Sequence, residues 1–195
     1  MYQVIGTTRS RAFRVLWMLE ELRVPFEHVA ENTHSSGVIE LNPAGKIPIL
    51  VVDGTPVTDS TAILTYLADR HQDFSHKPGT VARARQDSLT QFLLDEFDAA
   101  LWLAARHSFI LPEEMRLAGI KNTLRWEFER SQKVLVHRLG EGPFVMGDVM
   151  TVPDIILTDC LDWALRAKFP ITEHRLTEYL DQMRQRPAYQ EARRR

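Results

Sequence analysis

Three short stretches of this chain put polar groups where a helix begins or a strand is entered. In "VTDSTAIL", Asp59, Ser60 and Thr61 stand just ahead of a helical pattern. A helix start offers unpaired N–H groups and partial positive charge, which suit a carboxylate, and an acidic side chain beside it could take an ammonium. That pairing would fit an α-amino acid, although N-capping alone is the commoner use of these residue types. In "LNPAGKIPIL", Pro43 and Gly45 mark a turn, Lys46 is a lone cation and Pro48 precedes an apolar run. Its plain reading is a surface turn with a solvated lysine, since only about one X-Pro bond in twenty is cis. In "GTTRSR", the hydroxyls of Thr7, Thr8 and Ser10 crowd into one loop with Arg9 and Arg11. The two arginines form either a solvated positive rim or added stabilisation for a bound anion.

The elements around these stretches follow from periodicity. "YQVI" followed by Gly6 reads as a strand, and Ala12, Val15, Leu16, Leu19 and Leu22 then fall at helical spacing. "VPFEHV" and "IPILVV" are a second and third strand, and Asp53-Gly54 signals a hairpin into a fourth. Helical periodicity resumes through Ala62, Ile63, Tyr66 and Leu67, so this part reads β-α-β-(loop or helix)-β-β-α. After "QDFSHKPGT" no alternating strand recurs and long amphipathic stretches take over. The expected domains are residues 1–76 and 82–195, the second all-helical. One helix is predicted over Val81 to His107, with Leu89, Phe92, Leu93, Ala100 and Ala104 inward, another over Glu113 to Leu139, then two or three shorter ones.

Composition narrows the function classes. With 24 basic and 26 acidic side chains the charge is near balance, which gives no field for drawing in nucleic acid or an anionic membrane. No apolar run approaches the length of a membrane span and no leader pattern opens the sequence, so a cytoplasmic protein is expected. The single cysteine, Cys160, lies in an apolar helical pattern and reads as an inert core thiol. The seven histidines show no metal-ligand spacing, so no metal site is expected. The closing Arg193 to Arg195 reads as a solvated tail. Thr151 and Asp154 in "TVPDI" fit a capping box, where a cap mutation would cost about 1 kcal/mol.

Taken in order, "RSRAFRVLWMLEEL", "LNPAGKIPIL", "DSTAILTYLADR" and "GDVMTVPDI" resemble the glutathione S-transferase family over nearly the whole chain. The resemblance implies a thioredoxin-like N-terminal domain, an all-helical C-terminal domain, a cytoplasmic homodimer and glutathione as co-substrate without a metal. It implies that Pro48 follows a cis bond and that the backbone of Ile47 pairs with the cysteinyl part of glutathione. Asp59 and Ser60 match the acidic-Ser pair at the γ-glutamyl end, and Lys46 a basic position near the glycyl carboxylate.

The family chemistry needs a thiolate. A free thiol, with a pKa of about 8.5, is only a few per cent ionised at pH 7, and lowering that by about two units takes roughly 2.7 kcal/mol. A hydroxyl hydrogen bond to an anion supplies about 1.5–3 kcal/mol and a helix start about 0.3–1 more. One alignment register makes Thr7 that donor and another makes it Ser10, with Thr8 behind them. Trp102, Arg106 and His107 are candidate contacts for a small hydrophobic electrophile, though aromatic residues at helical spacing are more often core. The leading reading is a glutathione transferase of the detoxification type. The same thiolate would also serve a glutathione-dependent disulfide or peroxide reductase, and the fold would also serve a non-catalytic binding module.

Overall fold

Four strands, β1 (Tyr2–Ile5), β2 (Phe26–Val29), β3 (Ile49–Val52) and β4 (Thr55–Thr58), form a mixed sheet in the order β2-β1-β3-β4 in the computed structural model, which describes residues 1–195. β1 runs parallel to β2 and antiparallel to β3, and β4 returns antiparallel to β3. Both residues of the Asp53-Gly54 turn have positive φ (48° and 85°), the backbone twist that a tight hairpin requires. Helix α1 (Ala12–Leu22) joins β1 to β2, α2 (Ser36–Leu41) joins β2 to β3, and α3 (Ser60–His71) follows β4.

Alternation along the strands sorts the side chains into two layers. Val4 and Leu50, opposite one another in register, are fully buried together with Phe13, Leu16, Leu19, Ile63, Leu64 and Leu67 of α1 and α3. Ile5 and Ile49 point the other way and form a second cluster with Val38 of α2, Val29 and Ile47. With both faces covered, the strands read as apolar runs. α1 ends where Arg23 takes up a left-handed conformation (φ 54°) and its N–H bonds back to Glu20 and Leu19.

The second half is helical, as expected. Thr80 caps α4 (Val81–Leu93) by accepting from Arg83 N–H, and the helical path runs on through α5 (Ala99–Ala105) to Ile110. Wider five-residue π turns at Leu94–Asp98 and Arg106–Ile110 flank α5. Leu89, Leu93, Ala100 and Ala104 are buried, while Phe92 is half-buried and Phe97 takes the deeper place. The helix predicted over Glu113 to Leu139 is broken: a short 3-10 turn at Glu113–Met115 is followed by non-helical chain, and α6 spans Ile120–Arg138. Met115 and Leu117 extend the apolar periodicity on paper but are exposed, so no packing holds that stretch in the helix. α7 (Val152–Arg166), α8 (His174–Arg184) and α9 (Pro187–Arg194) complete the chain. Phe128 stacks edge-on against both Phe97 (4.9 Å) and Phe169 (5.6 Å), and Cys160 is fully buried.

The chain divides into two units, Met1–Ser75 together with Met183–Arg195, and His76–Gln182. α9, which the sequence pattern groups with the helical domain, thus belongs to the first unit. Its arginines are not a solvated tail: Arg193 lies over the ring of Phe13 at 3.6 Å, and Arg195 over Phe26 at 4.2 Å with a 2.6 Å bond to Glu20. Only Arg194 reads as expected, exposed beside Glu191.

Two positions carry more than their residue type suggests. Gly6 has φ 137°, and a Cβ there would lie 2.8 Å from Ala12 Cβ and 3.1 Å from Ile47 Cβ. Gly6→Ala should therefore cost at least about 2 kcal/mol of stability, measured by thermal or urea unfolding, because strain and overlap add. Asp154 is fully buried, and its carboxyl accepts from Val145 N–H (2.7 Å), Thr151 N–H (2.7 Å), the Thr151 hydroxyl (2.9 Å) and the Tyr179 hydroxyl (2.9 Å). Burial pushes this carboxyl above its ordinary value, and the donors offset only part of that. The group is a four-way junction instead of a simple cap. Asp154→Ala should destabilise by roughly 3–5 kcal/mol in place of the roughly 1 kcal/mol of a cap, again read by unfolding.

Candidate active site in the first unit

The register of the sheet gathers three of the sequence-predicted stretches at one end. Val29, Ile5, Ile49 and Thr58 are consecutive partners across the four strands. One residue further out come Gly6, Pro48 and Asp59, so the "GTTRSR" loop, the Ile47-Pro48 segment and the start of α3 leave the sheet side by side. Gly6 holds the first two in contact: its N–H bonds to Val29 (3.0 Å), His28 Nε2 donates to its carbonyl (2.8 Å), and its missing Cβ leaves room for Ile47. The Ile47–Pro48 peptide is cis. Ile47 makes no backbone hydrogen bond within the chain, so its N–H and carbonyl are open to a ligand's backbone. Lys46 is exposed on the neighbouring turn, where its carbonyl accepts from Asn42 Nδ2 (2.8 Å).

The loop hydroxyls are not equivalent. Ser10 Oγ donates to the Thr7 carbonyl (2.8 Å) and accepts from Ala12 N–H (3.1 Å), a local turn that caps the start of α1. A hydroxyl has one proton, and that of Ser10 is committed. The half-buried Thr7 and Thr8 have no side-chain hydrogen bond within the chain. Thr7 is the residue next to Gly6 and so lies nearest the Ile47 segment in the chain path. Arg9 is exposed and Arg11 half-buried.

At the start of α3, Asp59 is both a cap and an outlier. Its Oδ1 accepts from Thr61 N–H (2.9 Å) and Ala62 N–H (3.1 Å), as the capping interpretation requires. Its backbone, however, has φ 72° and ψ 124°, a strained conformation for a residue with a Cβ. Strain of about 1–3 kcal/mol at a residue that also caps a helix is the kind of feature that clusters at binding sites. The second carboxyl oxygen, Oδ2, accepts nothing within the chain, and neither the N–H nor the hydroxyl of the nearly buried Ser60 is bonded within it. Two donors beside one free anionic oxygen are complementary to the carboxylate and ammonium of an α-amino acid.

The remaining candidates lie in the second unit. Trp102 is half-buried on α5 and Arg106, one turn on, is exposed. His107 is engaged structurally, its Nδ1 accepting from Leu117 N–H at 3.2 Å. No group of three or more His, Cys, Asp or Glu side chains is placed to hold a metal ion. No helix is long and apolar enough to cross a membrane. Two contributors escaped the sequence reading: Gly6, and Arg193 of α9, whose Nη1 donates to the Thr8 carbonyl at 3.4 Å. The signal for the second was present in Pro187 at a helix start and Tyr189, Ala192 and Arg193 at helical spacing.

Comparison with known proteins places this geometry. Residues 9–70 match the family model for the glutathione S-transferase N-terminal domain. Glutathione S-transferase 3 of Schizosaccharomyces pombe is 39% identical over 66 residues, covering 32% of this chain and 27% of that protein. GstA of Escherichia coli O157:H7 is 27% identical over 157 residues, 78% of this chain and 74% of that one. The match spans 65% of the length of glutathione S-transferase U22 of Arabidopsis thaliana. Among solved structures, a glutathione transferase from Methylococcus capsulatus superposes with a TM-score of 0.87 at 25% identity, covering 100% of this chain and 98% of that one. A sphingomonad glutathione S-transferase complexed with glutathione shares the fold, with a TM-score of 0.84 at 23% identity over 98% and 97% of the two chains. Residues 9–70 are thus a glutathione S-transferase N-terminal domain, and the chain as a whole is similar to glutathione S-transferases in sequence and in fold.

Proposed function

We propose that the first unit binds glutathione along the sheet end and that Thr7 steadies its thiolate for attack on small hydrophobic electrophiles. The observation that carries this reading is the Thr7 hydroxyl, uncommitted within the chain and one residue from Gly6, whose backbone packs against Ile47. In this assignment Ser60 N–H and Oγ take the γ-glutamyl carboxylate, Asp59 Oδ2 takes its ammonium, Ile47 pairs with the cysteinyl backbone, and Lys46 faces the glycyl carboxylate. A relative of the same fold is complexed with glutathione, which supports the ligand. The thiolate carbon–sulfur bond forms as the electrophile loses its leaving group or accepts the electron pair into a conjugated system. The protein is proposed to do this as a cytoplasmic homodimer.

Choosing Thr7 over Ser10 rests on proton accounting. Ser10 already donates to Thr7's carbonyl, so turning its hydrogen to sulfur would break the turn that caps α1. Thr7 gives up nothing inside the chain.

Ultraviolet thiolate absorbance of the glutathione complex, followed against pH, tests the assignment. Thr7→Ala should raise the bound thiol's pKa by about one to two units, the worth of one hydrogen bond to an anion, and Thr7→Ser should restore it. Ser10→Ala should lower thermal stability and leave that pKa nearly in place. If Ser10→Ala moves the thiol and Thr7→Ala does not, the assignment of the donor is wrong.

Calorimetric binding of glutathione tests the other end. Ser60→Ala should weaken affinity about tenfold or more, through loss of a bond to a charged group. Asp59→Asn keeps an oxygen for the cap but removes the charge, so it should weaken binding by a similar factor while changing unfolding stability little. Unaltered affinity in both variants would move the γ-glutamyl end away from α3.

A further inference from the structure

α9 lies along α1 and is fixed there by several independent contacts. Tyr189 stacks edge-on against Phe13 and Trp17, each at 5.2 Å. Arg186 grips Glu21 with two bonds (2.6 and 2.8 Å), and Trp17 Nε1 donates to the same carboxylate (2.8 Å). These contacts dock the helix. Arg193 does something different, because its guanidinium is spread over three groups: Nε donates to the Tyr189 hydroxyl (3.1 Å), the plane covers Phe13, and Nη1 reaches the Thr8 carbonyl. Thr8 lies between Thr7 and Ser10, inside the turn that Ser10 closes on one side only.

We infer that Arg193 is a positioning residue that holds the Thr7–Ser10 turn from the outside, so that docking of α9 sets the placement of the Thr7 hydroxyl. The turn has two anchors of different origin. Ser10 Oγ ties Thr7's carbonyl to the start of α1 from within the loop, and Arg193 ties the next carbonyl to a helix some 185 residues away in sequence. With the inner anchor alone, Thr8 is free to swing and to carry the Thr7 side chain with it. A planar guanidinium stacked on an aromatic ring is suited to this task, since the stacking fixes the direction in which its donors point. The link to chemistry rests on the assignment of Thr7 as thiolate donor; the link to the loop does not.

Two measurements on Arg193→Met, which keeps most of the apolar stem, separate these parts. Amide hydrogen exchange should show the Ser10 N–H, which bonds to Thr7's carbonyl, exchanging about five- to tenfold faster, with α9's own amides little changed. The pKa of bound glutathione's thiol should rise by about half a unit to one unit, and Arg193→Lys should recover part of both effects. Arg186→Met, which breaks the Glu21 pair at the residue just before α9, should lower thermal stability without loosening the turn. The inference is overturned if exchange in the turn is unchanged in Arg193→Met, if it rises only in step with α9's amides, or if Arg186→Met reproduces it. It is overturned equally if the turn loosens and the thiol stays put while Thr7→Ala moves it. Should Thr7→Ala itself leave the thiol unmoved, the Thr7 assignment fails, and the exchange data alone decide whether Arg193 holds the turn.

Discussion

The passage of the backbone at Gly6 between Ala12 and Ile47 is the constraint on which the candidate site depends. There β1 must turn into the loop before α1 while lying against the segment that enters β3. With φ at 137° and neighbouring Cβ atoms at 2.8 and 3.1 Å from where its own would be, no side chain fits. The consequence is that the residue just before Thr7 is held against Ile47 by close packing, which changes little when surface side chains change. The α3 start is placed just as rigidly, because the β3–β4 register puts Thr58 opposite Ile49 and delivers Asp59 to the same end. Most of what this end offers a ligand is therefore backbone: the open peptide groups of Ile47 and the N–H of Ser60. A site built largely from backbone groups needs few conserved side chains, which is compatible with a shared fold at about a quarter sequence identity.

Much of this was legible in the sequence, for identifiable reasons. The sheet could be read because β3 is an apolar run covered on both faces, and because Asp53-Gly54 is a turn with its own backbone demand. The change to helices after "QDFSHKPGT" was visible as a change of period. The break between Met115 and Ile120 was not, because periodicity records where apolar residues fall and not whether anything packs on them; Met115 and Leu117 remain exposed. Arg193 and Arg195 were misread through their charge, although an arginine's stem and plane pack well against aromatic rings and both side chains do so here. The choice between Thr7 and Ser10 was out of reach for a different reason. Both are hydroxyls near a helix start, and only the folded turn reveals which has already spent its proton on the backbone.

Asp59 shows how two readings that looked like rivals can hold in one residue. A carboxylate has two oxygens, and capping uses one of them for two amides, leaving the other with nothing to accept. The short side chain favours this division. A residue one methylene longer would extend further towards a ligand's ammonium but would be set less tightly back onto the N–H groups of Thr61 and Ala62. The strained backbone fits the same account, since φ 72° is held in place by those two hydrogen bonds and by the start of the buried α3, whose Ile63, Leu64 and Leu67 are part of the core. Core packing thus fixes the helix, the helix fixes the cap, and the cap fixes the direction of the free oxygen. Held in this way, a short acid loses little further freedom on meeting a cation, which offsets the contact it forgoes in reach.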